Sequence, residues 1–174
     1  MTEQMPYRVT SVRDGYELRH YDRAVLVQVA VTGSSEQAAS AGFGPLVRYI
    51  SGDNVSNTRL AMTSPVLQES SSHDSHLISF VLPANVDVSS IPVPRSSVLS
   101  TVVMDARDMA ARTYIGRWTQ RKFEDNAADL IANLKRDGLT AVGLPSWARY
   151  DPPWTLPFMR RNEVLIEVTG AARS

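Results

Sequence analysis

An order of strand, strand, helix, strand, strand occurs twice along the 174-residue chain. Alternating and β-branched residues predict strands near 7–12, 16–21 and 24–31 before the first helix, and at 97–104 and 109–117 before the second, with the helices about 85 residues apart. Hairpin-linked strands with two interspersed helices indicate an α+β domain with a mainly antiparallel sheet. No linker divides the halves, so we expect one pseudo-symmetric domain over 1–174, with its core over about 7–169.

The first predicted helix has a clear beginning and end. Ser34, followed three residues later by Gln37, resembles a capping box, and Gly52 is a natural C-terminal stop. Pro45 in its interior predicts either a second helix start or a kink, because proline removes a helical hydrogen bond. The spacing i, i+3, i+4, i+7 places four apolar residues on one face: Phe43, Leu46, Val47 and Ile50.

The remaining elements follow from similar signals. Residues 59–68 and 76–83 read as strands separated by a serine-rich loop, 69–75. A second helix is predicted over 120–137, then a strand near 147–150, a proline-rich loop and a last strand over 162–169.

Composition excludes several classes of protein. With 18 Lys and Arg against 18 Asp and Glu, the chain lacks the positive surplus that nucleic-acid binding needs. The absence of cysteine excludes disulfides, thiolate metal sites and covalent haem, and is consistent with the cytoplasmic location that we expect. The polar N-terminus predicts no signal peptide, and the short apolar runs predict no membrane insertion.

The chain lacks the usual catalytic motifs, so we do not expect an enzyme. His73 and His76 flank Asp74 in the serine-rich segment, which is either a solvated loop or a metal site. His20 shares a strand face with Leu18 and is either a structural residue or a ligand to a metal or haem iron.

The segment Trp154–Met159 is unusually apolar for a loop, and Arg160 and Arg161 follow it. Its aromatic side chains either cap the core or line a ligand groove. An apolar surface beside arginines suits a flat apolar ligand with carboxylates, since guanidinium binds carboxylate with two hydrogen bonds.

Six segments, in order along about 15–168, resemble the SOUL haem-binding protein family. The M-T-x-P-V and R-R-N-E-V elements are specific only when taken together. The matching segments are Tyr16–Tyr21, Phe43–Asn54, Ala61–Val66, Ile78–Pro83, Tyr150–Pro153 and Arg160–Val164.

This resemblance implies a pseudo-two-fold, distorted antiparallel β-barrel with two flanking helices, the fold also of gyrase-inhibitor proteins and effector-binding domains. It implies non-covalent binding of haem b, or of other tetrapyrroles, by a haem carrier, buffer or chaperone with haem donor or acceptor proteins as partners. The alternative is a ligand-sensing or protein-interaction domain without physiological haem, although the sequence shows no lone acidic residue with apolar flanks that would bind a cation.

The resemblance also implies a site. The groove is expected between the first helix and the loop before the last strand, which here means Phe43, Leu46, Val47 and Arg48 facing Trp154, Leu156 and Phe158. Arg48 is expected to meet a propionate, whereas a second basic position of some members falls near Ser40. His20 is the expected axial ligand, with Met62 and Tyr49 as substitutes. Residues 160–163 either fix the last strand through ion pairs or bind a propionate.

Overall fold

The computed structural model describes residues 1–170, so the predicted domain end at 174 lies outside the described residues. It contains two helices, α1 (Ser35–Ile50) and α2 (Gln120–Arg136). The strands are β1 (Glu3–Gln4), β2 (Tyr7–Arg13), β3 (Tyr16–Tyr21), β4 (Ala24–Thr32), β5 (Thr63–Ser64), β6 (Val66–Ser72), β7 (Ser75–Val81), β8 (Leu99–Met104), β9 (Arg107–Ile115), β10 (Thr140–Arg149) and β11 (Arg161–Thr169).

Nine strands form one sheet in the order β2-β3-β9-β11-β10-β6-β7-β4-β8, and all its neighbouring pairs are antiparallel. From β3 to β8 this order is symmetric about the β10–β6 pair, with β3, β4, α1, β6 and β7 corresponding to β8, β9, α2, β10 and β11. The predicted α+β class and repeated element order are therefore confirmed. The two short strands β1 and β5 pair in parallel beside this sheet.

Alternation along the strands divides the core between the two faces of the sheet. One face carries two clusters, of which the first contains α1, β4 and β7, and the second contains α2, β3, β9 and β11. The opposite face carries a third cluster that includes Met5, Tyr21, Leu26, Leu67 and Leu165. Each helix thus covers one half of the sheet, as the pseudo-symmetry requires.

Helix α1 lies unusually close to the sheet. Gly42 faces β7, where an added Cβ atom would be 2.8 Å from Ile78 Cγ1. The helix continues through Pro45 without a second start. Its first turn is capped by Ser34, whose hydroxyl accepts a hydrogen bond from Gln37 N at 3.3 Å. Gly52, with a φ of 113°, follows its C-terminal end. A glycine at 42 therefore allows the close packing that positions the helix.

The predicted serine-rich loop is wrong, because β6 extends through Ser72 and a two-residue turn at His73 and Asp74 leads directly into β7. Cross-strand pairing holds these polar residues in the sheet, and buried His76 contacts Ser70 Oγ at 2.7 Å and Gly33 O at 2.8 Å. The sequence prediction missed this strand because its residues are mostly polar and show no apolar alternation.

Two further boundaries differ from the predictions. The strand expected over 59–68 begins at Thr63 and is divided at Pro65, which cannot donate a ladder hydrogen bond. Strand β10 begins at Thr140 rather than near 147, and its register with β11 shifts between Val142 and Ser146. Such an irregularity interrupts the alternation that a sequence prediction needs.

Candidate functional site

A cavity of about 430 Å³ lies between α1 and the loop that joins β10 to β11. Four segments converge on it: the first half of α1, the first residue of β6, the residues just before α2, and the end of β10 with its following loop. Its lining consists of Glu36, Ala39, Ser40, Val66, Arg117, Trp118, Thr119, Arg149, Asp151, Pro153, Pro157 and Arg160. The cavity lies between the same two elements as the expected groove, but none of the seven residues predicted for that groove lines it.

Helical geometry determines which residues of α1 face this side. With 3.6 residues per turn, Phe43 and Val47 continue the stripe that begins with the cavity residues Glu36 and Ser40. Phe43 is 40% exposed and packs edge-on against Phe80 with ring centroids 5.4 Å apart. Phe43 and Val47 do not line the cavity themselves, but they lie beyond it on the same apolar stripe of the helix.

Two of the predicted helix residues lie elsewhere. Leu46 is completely buried in the cluster beneath α1, so its side chain packs against the sheet and not toward the loop. Arg48 is exposed and lies about 120° around the helix from Glu36. The apolar spacing that predicted one face therefore combines core and groove residues.

The predicted loop residues project outward. Trp154, Leu156 and Phe158 are 84%, 54% and 71% exposed, and none of them lines the cavity. Phe158 instead lines a neighbouring depression together with Ile115 and Lys122. The loop presents Pro153 and Pro157 to the cavity and its aromatic side chains to solvent.

Polar contacts hold this loop in place. Arg160 donates from Nε to Thr155 O at 2.8 Å and from Nη2 to Pro153 O at 2.5 Å, and its guanidinium lies 4.3 Å from the Trp118 ring centroid. Asp151 accepts from Arg161 N at 2.6 Å. Because Arg160 is satisfied by carbonyls of the loop, it fixes the cavity wall.

The last strand carries a buried ion-pair network, as one of the two interpretations of residues 160–163 predicts. Glu163 is completely buried and accepts from Arg19 Nη1 and Nη2 at 2.8 and 2.9 Å, from Arg161 at 2.6 Å and from Tyr150 at 2.6 Å. Burial by itself raises the pKa of Glu163, but these donors outweigh it and lower the pKa to about 2. The only acid completely buried in the described residues is thus already neutralised.

Asn162 lies on the other face of the same strand. It accepts from Trp147 Nε1 at 3.2 Å and donates to Gly116 O at 3.1 Å. It therefore ties β10 to the segment before α2, two of the elements that form the cavity.

Arg149 is a residue of this site that the sequence analysis missed. It is 5% exposed, and its Nε and Nη1 atoms have no hydrogen-bond partner in the described residues. Its guanidinium lies 3.9 Å from the Trp147 ring centroid and 5.5 Å from that of Trp118. Its position at the end of an apolar strand, directly before the Tyr150–Pro153 element, is the signal that could have identified it.

Two more buried donors near Arg149 lack partners among the described residues: Trp118 Nε1 and Tyr114 Oη. Desolvation lowers the pKa of Arg149 to about 10, and raises the pKa of Tyr114 despite the opposing effect of Arg149. Uncompensated buried polar groups are rare in native proteins and call for an explanation.

His20 lies far from the cavity. His20 pairs with Asp108 of β9. Ile115, near the other end of β9, pairs with Arg161, the first residue after the loop. Asp108 and Ile115 are seven residues apart along β9. At about 3.3 Å per residue this separation is roughly 23 Å. His20 Nδ1 contacts Asp108 Oδ1 at 2.7 Å, so the structure does not bring His20 and the cavity together.

The other predicted iron ligands are also outside the cavity lining. Tyr49 is buried and donates to Pro92 O at 2.7 Å, and Met62 is 37% exposed in the segment before β5. Over residues 1–170, no group of three or more His, Cys, Asp and Glu side chains is arranged to hold a metal ion. A haem in this cavity would be held through its ring and its propionates.

Comparison with protein families decides the relationship of the chain. The model of the SOUL heme-binding protein family matches residues 2–167. The chain belongs to the SOUL haem-binding protein family. This SOUL domain has no significant match among the curated proteins.

Solved structures share the fold of this SOUL domain at low sequence identity. The EcmrR C-terminal domain is 10% identical with a TM-score of 0.69, covering 96% of this chain and 100% of its own. A hydrolase from Listeria innocua is 12% identical with a TM-score of 0.57, covering 92% and 94%. SAV2435 bound to tetraphenylphosphonium is 11% identical with a TM-score of 0.50, covering 89% and 94%. These neighbours confirm the predicted fold.

No helix among the described residues of the SOUL domain combines the length and apolarity that crossing a membrane requires.

Proposed function

We propose that this SOUL domain binds haem b or a related tetrapyrrole non-covalently in the cavity between α1 and the 151–160 loop, and acts as a haem carrier or buffer and not as an enzyme. The observation that carries the proposal is the cavity itself. Its volume of about 430 Å³ lies within the range of about 300–1,000 Å³ typical of small-ligand sites.

The surroundings of the cavity suit a flat, largely apolar ligand. Phe43 and Val47 extend the helix stripe along which the ring would lie, and Val66 and two prolines of the loop provide further apolar contact. Trp154 and Phe158 on the loop are exposed and available to cover the outer side of the ring. Because burial of apolar surface is the main favourable contribution, binding does not depend on iron ligation.

A carrier must also release its ligand. Among residues 1–170, the cavity lining contains no histidine, methionine or tyrosine that would form an axial bond to iron. Without such a bond the haem is held by apolar and ionic contacts alone, which favours exchange with donor or acceptor proteins. A location in the cytoplasm would be consistent with this role.

The test is a hemin titration of the purified protein, followed by the Soret absorbance. We expect a saturable change with one hemin per chain. Ser40→Trp places an indole at the cavity wall and is expected to weaken hemin affinity at least tenfold, whereas Ala41→Trp, an equally exposed position one residue further round the helix, is expected to leave it unchanged.

Equal effects of the two tryptophans would contradict binding in this cavity. An unsaturable absorbance change in the wild-type protein would contradict haem binding altogether.

The second candidate is a ligand-sensing domain. SAV2435, which shares the fold, has been solved with tetraphenylphosphonium, a bulky organic cation. In the present chain the completely buried Glu163 is paired with two arginines, so it offers no free negative charge to a cation. Titration with tetraphenylphosphonium in the same assay separates the candidates, since saturable binding of the cation without hemin would favour the sensor.

A further inference from the structure

We infer that the buried wall of the cavity is an anchoring site for one carboxylate of an apolar ligand, and that Arg149 is the residue that binds it. The inference rests on the proposed function in naming a tetrapyrrole propionate as that carboxylate. The site itself requires only an apolar molecule that carries a carboxylate.

The first argument is the missing partners of Arg149. A buried guanidinium normally makes several hydrogen bonds, because leaving its donors without acceptors is expensive in free energy. Here Nε and Nη1 have none among the described residues, although the side chain is 5% exposed and lines the cavity. Arg149 also takes part in no ion pair of the described residues.

The second argument is the chemistry of its neighbours. The other orphaned buried groups nearby are the Trp118 indole N–H, which can only donate, and the Tyr114 hydroxyl. Donors without acceptors around a positive charge match a carboxylate, which only accepts and can take two bonds from one guanidinium. A cationic ligand group, or one that carries only hydrogen-bond donors, would have no acceptor or negative charge to pair with among these three side chains.

The third argument is that nearby acids are already engaged. Glu36 lines the cavity, but its Oε1 accepts from Gln120 N at 3.0 Å, at the start of α2. Asp151 also lines the cavity, and its Oδ2 accepts from Arg161 N at 2.6 Å. Both carboxylates therefore hydrogen-bond the protein backbone. The charge of Glu36 raises the pKa of Arg149, but among the described residues neither acid forms an ion pair or a hydrogen bond with the guanidinium.

The fourth argument is preorganisation. Trp147 stacks on Phe123 with ring centroids 5.3 Å apart, and the Arg149 guanidinium lies 3.9 Å from the Trp147 centroid. The Trp118 ring centroid lies 5.5 Å from the guanidinium of Arg149 and 4.3 Å from that of Arg160. Fixed before the ligand arrives, the donors lose little conformational entropy on binding.

The inference predicts how a ligand is oriented. One carboxylate enters the cavity toward Arg149, and the apolar body extends along the α1 stripe toward Phe43 and Val47. At least one of the two propionates of haem would be buried, so esterification of the propionates is expected to lower the binding affinity.

The experiment compares hemin with hemin dimethyl ester, on the wild-type protein and on Arg149→Gln. We expect the wild-type protein to bind hemin roughly 10- to 100-fold more tightly than the ester, as for a hydrogen bond to a charged group. In Arg149→Gln we expect this ratio to fall to about one. Arg59→Gln, which removes the same charge from an exposed position, should leave the ratio unchanged.

A second ligand pair separates this inference from the proposed function: pyrenebutyrate, a flat apolar carboxylate, and pyrenebutanol, its neutral analogue. If hemin does not saturate but pyrenebutyrate binds the wild-type protein and not Arg149→Gln, haem binding is contradicted and the anchoring site stands. If hemin saturates but is bound no more tightly than its ester, the anchoring site is overturned and haem binding stands.

Folding of the variant is measured by its thermal unfolding midpoint. We expect Arg149→Gln to match or exceed the wild-type Tm, because the substitution removes a buried charge that has no partner. A variant that fails to fold would leave the decision to the wild-type comparison of acid and ester, where equal affinities overturn the inference.

Discussion

At the scale of single residues, neighbouring positions of α1 serve different purposes. Leu46 is completely buried against the sheet, whereas Phe43, three residues earlier, is 40% exposed on the stripe that continues the cavity. The same apolar character therefore stabilises the fold at one position and is available to a ligand at the other.

Substitution separates these two roles. Leu46→Ala should lower the free energy of unfolding by about 2–5 kcal/mol, because it leaves a cavity in the core. Phe43→Ser should cost less stability and weaken hemin affinity several-fold, because it removes a contact of the ligand stripe. Chemical denaturation and hemin titration of both variants measure the difference, and the reverse pattern would place the ligand elsewhere.

His20 is tested at the same scale. With its ring held at Asp108 and roughly 23 Å along the sheet from the loop, we expect His20→Ala to leave the Soret spectrum of the hemin complex unchanged. Absorbance spectra of the ferric and ferrous complexes provide the measurement. A shifted Soret band would show that His20 is an axial ligand and that haem binds beside the β3–β9 pair.

At the scale of elements, the position of α1 depends on its distance from the sheet. Gly42 brings the helix close to β7, and an added Cβ would also lie 3.1 Å from Val29 Cγ1 on β4. Since Glu36, Ser40 and Phe43 belong to the same helix, this packing determines the width of the cavity.

Two glycines of α1 form a matched pair. Gly42→Ala should destabilise the protein by about 1–3 kcal/mol, because overpacking against Ile78 outweighs the gain in helix propensity. Gly44→Ala should stabilise it by up to about 1 kcal/mol, because the nearest atom to its added Cβ is Arg48 Nη1 at 3.8 Å. Urea denaturation distinguishes them, and equal effects would contradict close packing at Gly42.

At the scale of the whole molecule, the Glu163 network joins strands that are distant in sequence. Arg19 comes from β3, Thr113 from β9, and Tyr150 follows β10, and all donate to the carboxylate on β11. The network therefore links the first hairpin to the second half of the pseudo-symmetric sheet.

This network predicts an acid dependence of stability. The pKa of Glu163 is about 2 in the folded protein against an ordinary value of 4.5, so the unfolded chain binds more protons between these values. The stabilising contribution is complete above pH 4.5 and is lost as the pH falls toward 2. Glu163→Gln should lose about 3–5 kcal/mol at neutral pH and less at low pH. Denaturation of both proteins across this range checks it, and a constant difference would contradict the network.

The sequence by itself determined the element order, the helix ends and the fold class. Alternation, the N-cap Ser34 and the glycines after both helices are local signals, and each acts within a few residues. The resemblance of six separated segments predicted a groove between α1 and the loop. A cavity lies between these two elements, but it is lined by other residues than those predicted.

Only the tertiary structure decided which side chains meet. The serine-rich segment became strand because its partners lie across the hairpin, and Leu46 became core because the sheet lies beneath it. Arg149, Trp118 and Tyr114 come from separate elements and were identified by the absence of partners, which no local pattern records. Periodicity specifies a face of a helix or strand, but burial and charge compensation depend on what packs against that face.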